Sequence, residues 1–495
     1  VNRVIINEFP VFNSTMVDFS DPVGEEEITA FMEEILAGDN EDEIALRGRK
    51  RYINRLERIS TDNIAQRAMR TVSAEEFPYT LTIDDYGVLD HLVVRETDRR
   101  EPGDDEVEVN IRASALNFRD IMLSMGLLSE DAIRGGLFGK TMGLECAGVI
   151  SATGKNVKHL KVGDEVLATA PSCLGKFAYP KAFHVVRKPA EISFQNGATL
   201  PVVYVTAYYS LVYLCRIRKG EKILIHAAAG GVGIAAIHIA KASGAEIFAT
   251  VGSQEKKAYI ESLGVPADRI LNSRTLDFAD QLLALTGGEG VDIVLNSLSG
   301  EAIYKSIRCL APYGRFVEIG KTDIYRNSKL GLQPFGNNLS YFGVDVDRLF
   351  KQKEQFSGEL FQEAIDYFTD HKFPVHPSVA FPISKIGDAF QYMAAARHIG
   401  KIIIGMEGEL QVAPPREIRF HEKASYMITG GCSGFGLAVA EWMCTKGARH
   451  LVLMSRSGPK TDAEKDSIGR MRERGVNVMI AKGDVSIRQL SLIHI

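Results

Sequence analysis

Along the middle of the chain, short apolar runs bounded by glycine alternate with longer stretches in which apolar residues recur at helical spacing. The sharpest of these switches is Ile223-Leu224-Ile225-His226-Ala227-Ala228-Ala229-Gly230-Gly231-Val232-Gly233, followed by the apolar stretch 234–240. It reads as a buried strand, a glycine turn and a helix in immediate succession. Beyond Gly244 the alternation continues with a strand over 246–251, a helix over 277–285, a strand over 291–296, a helix over 301–310 and a strand over 315–319. Strands alternating with helices predict an α/β fold with a parallel, doubly wound sheet. Ligands of such sheets bind beyond the carboxyl ends of the strands, so Asn296-Ser297 and Gly320-Lys321-Thr322-Asp323 are the first candidates for chemistry.

The glycine turn has the composition of a dinucleotide site. Ala228, Gly230 and Gly233 match the phosphate-binding fingerprint with Ala at the first position, and Gly231 and Val232 complete the turn. Small residues there permit the tight turn, close approach of backbone to pyrophosphate and close helix packing, while the helix N-terminus faces the anion. The next strand ends in Gly252-Ser253-Gln254-Glu255-Lys256-Lys257, with no carboxylate at its last position to hold a ribose 2′-hydroxyl. Ser253 with Lys256 and Lys257 suits a 2′-phosphate, so NADPH is the expected cofactor. The alternative is that both lysines form a solvated helix face.

A second strand-turn-helix unit begins at Tyr426, with the spacing Thr429-Gly430-Gly431-Cys432-Ser433-Gly434-Phe435-Gly436. This spacing resembles the short-chain dehydrogenase/reductase family. The resemblance implies cofactor contacts from Gly430, Gly434 and Gly436, from Arg456 after the strand 450–454, and from Asp484 near the adenine. A Ser-Tyr-Lys catalytic set is expected well beyond this point, so the unit is expected to be catalytically empty as given. Residues 488–495 do not read as the helix that should follow.

With 495 residues, of which 45% are apolar, the chain has material for about three domains. A net charge of −5 gives no basic footprint, which argues against nucleic acid as the main partner. No run of about eighteen apolar residues is present, so no membrane span is expected. No leader is visible after Val1, and the abrupt ends predict cuts within a longer polypeptide. Six scattered cysteines, without zinc or disulfide spacing, predict a reduced, cytoplasmic setting.

From about residue 77 to 408 the chain resembles the medium-chain dehydrogenase/reductase family, and within it the zinc-free enoyl reductase domains of type I polyketide synthases and animal fatty acid synthase. The resemblance rests on Ala115-Leu116-Asn117-Phe118-Arg119-Asp120, Gly143-Leu144-Glu145-Cys146-Ala147-Gly148, Gly163-Asp164-Glu165-Val166, Thr206-Ala207-Tyr208-Tyr209, the glycine turn, Leu295-Asn296-Ser297-Leu298 and residues 314–321. It implies a mostly β GroES-like substrate lobe (77–200 and 373–408) and a Rossmann NADPH lobe (201–372), then a linker (409–424) and a truncated ketoreductase Rossmann fold (425–495). Residues 43–56 resemble the strand pair closing a structural reductase-like subdomain, which makes 1–60 its remnant and 61–76 a linker.

Zinc-dependent relatives place Cys where this chain has Asn117 and His where it has Leu144, so no metal is expected. The implied reaction is NADPH-dependent reduction of an enoyl thioester carried on a phosphopantetheine acyl carrier domain, among other megasynthase domains and in a homodimer. Lys321 matches the proton donor proposed for the family and Asp347 its acidic partner. Asn117 is expected near the nicotinamide or thioester oxygen, and Thr206, Asn296 and Gly320 along the cofactor crevice. Structural alternatives stand beside each role: Lys321 as a cofactor or carrier-arm contact, Asp347 and Thr206 as helix caps, Asn117 as an N-cap. His226, His238 and the tyrosine series 204, 208, 209 and 213 read as packing. Two rival functions remain at this level, a free-standing quinone or enone reductase and a nucleotide-binding scaffold without catalysis.

Overall fold

The computed structural model describes residues 15–20, 22–37, 41, 43–53, 69–415 and 420–484. The chain divides into two units, Val1–Ala68 and Met69–Ile495. In the first, β1 (Met16–Asp18) runs parallel to β2 (Glu43–Arg47), which pairs antiparallel with β3 (Lys50–Ile53). Ala30 of helix α1 (Glu25–Ala37) packs with Ile44 and Leu46 to form a small core. The remaining part of the 43–56 motif, and the chain end 488–495, lie outside the described residues.

In the second unit, β4 (Arg70–Ser73), β5 (Tyr79–Ile83) and β6 (Leu92–Glu96) precede the substrate-lobe strands β7 (Val107–Ala115), β8 (Glu145–Thr153), β9 (Glu165–Thr169), β10 (Phe177–Ala178) and β11 (Val185–Arg187). The return segment adds β18 (Ser378–Pro382) and β19 (Lys401–Gly405), giving the order β11-β9-β8-β7-β19-β18 with β10 beside β7. Side chains alternate across this sheet. Val166 and Ala168 face the lobe's own core, whereas Leu167, Ala147, Ala113 and Ala115 face the core shared with the nucleotide lobe. Three alanines on that face keep it flat enough for close packing.

Between β11 and β18 lies the nucleotide lobe, whose strands are β12 (Lys222–Ile225), β13 (Glu246–Val251), β14 (Ile270–Asn272), β15 (Val291–Asn296), β16 (Leu310–Glu318) and β17 (Ser340–Gly343). All pairings are parallel, in the order β14-β13-β12-β15-β16-β17. The chain therefore reverses its direction of winding between β12 and β15, where doubly wound sheets open a crevice. The helices that matter for the site are α2 (Phe118–Ser124), α3 (Glu130–Gly135), α4 (Pro201–Tyr208), α5 (Gly231–Ala242), α6 (Gln254–Ser262) and α7 (Val346–Gln352).

Two features were not specified by the sequence. The segments flanking the reductase pair with each other: β4 runs antiparallel to β20 (Glu409–Val412). The α4 helix continues into a π-helical turn over Tyr209–Leu214. The last strands, β21 (Ser425–Thr429), β22 (His450–Ser455) and β23 (Asn477–Lys482), form a separate parallel sheet carrying α8 (Gly434–Thr445) and a capped helix over Asp462–Glu473 that its polar sequence had hidden.

Candidate active site

A cleft of about 420 Å³ opens between the two lobes. One wall is the glycine turn. Ala227 at its start holds a left-handed φ of 48°, a strained backbone of the kind that persists where surrounding structure over-determines it. Gly230 caps α5, and a Cβ added at Gly233 would stand 2.6 Å from Ala228 Cα and O, so only glycine lets the helix lie against the strand. Ala228 is buried and its N–H donates to Thr250 O. Gly231 abuts Val203 and the Lys401 side chain, and Gly230 bridges to Gly400 of the substrate lobe. The turn is thus clamped from both lobes with the N-terminus of α5, including Val232, facing the cleft.

Ser253 caps α6, accepting from Lys256 N–H at 3.3 Å. Lys256 reaches across to Ala396 O at 2.7 Å. Burial, then the neighbouring Arg274, hold its ammonium below the usual lysine range. Lys257 follows on the same helix. Arg274, which sequence reading missed because it follows a strand of only three residues, lies with its Nε 3.1 Å from where a Cβ at Gly252 would be. Two neighbouring cations beside a serine that follows β13 form a corner suited to an anion. In the cleft itself, Ser297 Oγ and His398 Nδ1 are buried and without a hydrogen-bond partner. A glycine cradle, neighbouring cations and unpartnered polar atoms together fit a nicotinamide dinucleotide.

At the carboxyl end of β15 and β16, Asn296 donates to Glu318 Oε2 at 2.6 Å and to Leu298 O at 2.8 Å, and Gly320 N–H donates to Glu318 Oε1 at 2.6 Å. Burial raises the Glu318 carboxyl to about 7 despite these bonds. This arrangement shapes the loop that carries Lys321. Lys321 Nζ donates to Asp345 Oδ1 at 2.7 Å, and Tyr325 Oη donates to Asp345 Oδ2 at 2.9 Å. Burial pushes the Asp345 carboxyl up, but the Lys321 ammonium and these bonds outweigh it and hold it below the ordinary range.

The expected partner of Lys321 was Asp347, and here the structure differs. Asp345 caps α7, whereas Asp347 points the other way into a buried ion pair with Arg119 Nε at 3.0 Å and accepts from Phe138 N–H at 3.2 Å. Asn117 lines the cleft, and its amide is engaged within the substrate lobe: Nδ2 donates to Glu145 Oε1 at 2.8 Å and Oδ1 accepts from Lys401 Nζ at 3.0 Å. Lys401 Nζ in turn donates to Glu145 Oε1 at 2.6 Å, and Glu145 Oε2 accepts from Val202 N–H at the start of α4. A lysine ammonium is therefore bound to the carboxylate at the Asn117–Leu144–Glu145 position, while Leu144 is buried among apolar side chains. This donor set does not suit a divalent metal. Thr206 is buried, lines the cleft and donates to Val202 O. His226 is fixed between Thr250 and Ser306, and His238 accepts or donates with Tyr204 Oη at 2.8 Å, both structural positions.

The C-terminal sheet has its own cavity of about 630 Å³, lined by Gly430, Arg456 and Asp484 among others. Gly430 and Gly434 adopt left-handed φ values of 69° and 49°, and a Cβ at Gly436 would overlap Gly430 O.

A β-rich lobe set against a doubly wound sheet, with a glycine turn between them, defines a two-lobed nucleotide-dependent oxidoreductase. Family models agree: an alcohol dehydrogenase GroES-like domain matches 103–207, a zinc-binding dehydrogenase 265–404 and a KR domain 424–491. The CurK enoyl reductase structure is 40% identical, with a TM-score of 0.60, covering 69% of this chain and 100% of that one. A phenolphthiocerol/phthiocerol polyketide synthase of Mycobacterium tuberculosis is 38% identical over 98% of this chain, which spans 22% of that synthase's length. The Escherichia coli quinone oxidoreductase complexed with NADPH is 26% identical, with a TM-score of 0.57, over 66% of this chain and 99% of that one. The chain belongs to the enoyl reductases of polyketide synthases, within the medium-chain reductase fold, and continues into a KR domain. No helix among the described residues is long and apolar enough to cross a membrane.

Proposed function

We propose that the two-lobed reductase reduces the α,β-double bond of an enoyl thioester with NADPH, the acyl chain arriving on a phosphopantetheine arm of a carrier domain within a larger, homodimeric cytoplasmic synthase. The observation that carries this reading is the Lys321–Asp345 pair at the carboxyl edge of the sheet, on the lip of a cleft whose far wall is the glycine turn. The dinucleotide, when bound, supplies a hydride to the β-carbon. Electrons then move to the thioester oxygen, and the α-carbon needs a proton. Lys321 holds that proton at Nζ. Asp345 aims the ammonium, Tyr325 fixes the carboxylate, and solvent returns a proton to the lysine after transfer. Because the Lys401–Glu145–Asn117 set fills the place of a metal centre, stabilisation of the enolate falls to fixed donors, with the Lys321 charge foremost. Glycines 230, 231 and 233 with Val232 would hold the pyrophosphate, Ser253, Lys256, Lys257 and Arg274 the 2′-phosphate, and Thr206, Asn296 and Gly320 the walls around the reactive ring.

The test is NADPH consumption by the full chain with crotonyl-pantetheine, with NADH and a small quinone as controls and the product identified by mass spectrometry. NADPH-dependent formation of the saturated thioester is expected. Brisk quinone reduction without thioester turnover would favour a quinone reductase instead, and NADPH binding without either would favour a scaffold.

A further inference from the structure

The chemistry above leaves one buried ion pair unused. Arg119 and Asp347 meet at 3.0 Å with side chains only 7% and 5% exposed, and they come from opposite lobes. Arg119 sits on α2 of the substrate lobe and lines the cleft, with its other nitrogens donating to Gly139 O at 2.6 Å and Thr141 O at 3.4 Å. Asp347 sits in the first turn of α7, on the nucleotide side. The same helix makes four more connections to the segment around α3. Phe138 N–H donates to Asp347 Oδ1 and Leu137 N–H to Asp347 O, both at 3.2 Å. Arg348 donates to Asp131 O at 3.1 Å and Lys351 to Arg134 O at 2.6 Å. Gly136 makes room for the junction, since a Cβ there would overlap the Asp347 carboxylate.

Two residues earlier, the N-cap of this helix is Asp345, the carboxylate that holds Lys321. One turn of helix thus carries the lobe junction on one carboxylate and the proton donor on the other. The separation between the two is fixed by helical geometry, so a change in how the lobes meet is passed to Lys321 with little loss. A buried pair is also close to all-or-none, because separating the partners in a dry site leaves both charges uncompensated.

We propose that Arg119–Asp347 is an interlobe latch, and that Asp347 is a positioning residue which sets Lys321 over one face of the substrate, so that the α-proton is delivered from a single side. This rests on the reading of Lys321 as proton donor. An unlatched enzyme would still bind NADPH and transfer hydride, but would protonate late and from both faces.

The test uses the full chain, NADPH and 2-methylcrotonyl-pantetheine, and reads the epimer ratio at the α-carbon, the solvent deuterium isotope effect on kcat and the KM for NADPH. Asp347→Asn removes one charge of the latch, and Gly136→Ala pushes the Asp347 carboxylate out of the junction without removing any charge. Each is expected to lower kcat by roughly ten- to a hundredfold, the scale of an ångström-level misplacement of a reacting group, with KM for NADPH within about twofold of wild type. Each should also erode the epimer ratio and enlarge the isotope effect, with Arg119→Lys falling between wild type and these variants. If Asp347→Asn does not fold, Gly136→Ala carries the same prediction alone. A wild-type ratio and isotope effect in a variant that binds NADPH overturns the latch. Lys321→Ala separates the two ideas: if it erodes the ratio and the latch variants do not, the latch alone fails; if it leaves the ratio unchanged, the proton-donor reading fails and the latch with it.

Discussion

The two glycine turns of this chain are built alike and placed differently. At 228–233 and at 430–436 a parallel strand feeds a helix through small residues, and in each a late glycine, Gly233 or Gly436, lies where any side chain would collide with backbone at the turn's start. The first turn faces a second lobe. Gly400, Lys401, Met393 and His398 close over it, and the ends of β15 and β16 bring Ser297 and Lys321 to the same cleft. The cavity of the second is lined, among the described residues, by the strand ends, loops and one helix turn of its own sheet, and Phe435 beside it is 86% exposed. A glycine turn is therefore a place to put a phosphate, whereas chemistry requires the opposing wall. That wall comes from residues distant in sequence, from Ser297 and Lys321 to Gly400 and Lys401.

The contrast breaks most completely at the turn itself. Gly233→Val puts a side chain into Ala228 backbone, an overpacking cost of about 1–3 kcal/mol at the point where pyrophosphate must approach. NADPH-dependent turnover should fall to background, and fluorescence titration should show the loss of cofactor binding at this site. Lys321→Ala tests the opposing chemistry rather than the cradle. A fall in kcat of roughly a hundredfold or more is expected, the usual worth of a positioned acid, with NADPH affinity retained. Steady-state kinetics with the crotonyl thioester distinguishes these two outcomes.

Smaller effects refine the picture. Arg274→Ala should raise KM for NADPH by about tenfold, some 1.4 kcal/mol, and leave KM for NADH nearly unchanged; equal effects on both cofactors would remove Arg274 from the 2′-phosphate corner. The smallest prediction concerns Glu318. Its folded carboxyl, at about 7, lies above the ordinary value of 4.5, so the folded protein keeps a proton that the unfolded chain has lost between those values. Its contribution to stability is fully present below about pH 4.5 and is lost as pH rises through 7, by about 3 kcal/mol at most. Chemical denaturation at a series of pH values should show Glu318→Gln gaining on wild type across that window.

Much of this architecture was legible in the sequence. Runs such as Ile223–Ile225 and Val291–Asn296 are apolar enough and short enough to be strands, and the glycine spacings placed both turns. What stayed hidden depended on two-residue offsets or distant partners. Asp345 and Asp347 stand in one Val-Asp-Val-Asp run, and only the start of α7 decides which faces Lys321; Asp345 as a helix N-cap was the available signal. Lys401 opens an otherwise apolar strand, a cue that a buried acid awaits it, but nothing local names Glu145. The pairing of β4 with β20 joins residues such as Thr71 and Gln411, 340 positions apart, beyond the reach of any local pattern.

Whether the clamped turn and Lys321 together reduce an enoyl thioester is decided by isotope tracing. Full-chain protein would be given crotonyl-pantetheine and NADPH carrying deuterium at the transferred position, in ordinary water, and the reverse combination in deuterium oxide. One deuterium should reach the β-carbon from the cofactor and one the α-carbon from solvent, with Lys321→Ala strongly slowing formation of the saturated thioester. Saturated product lacking cofactor deuterium at the β-carbon, or cofactor oxidation with no saturated thioester at all, would contradict this assignment.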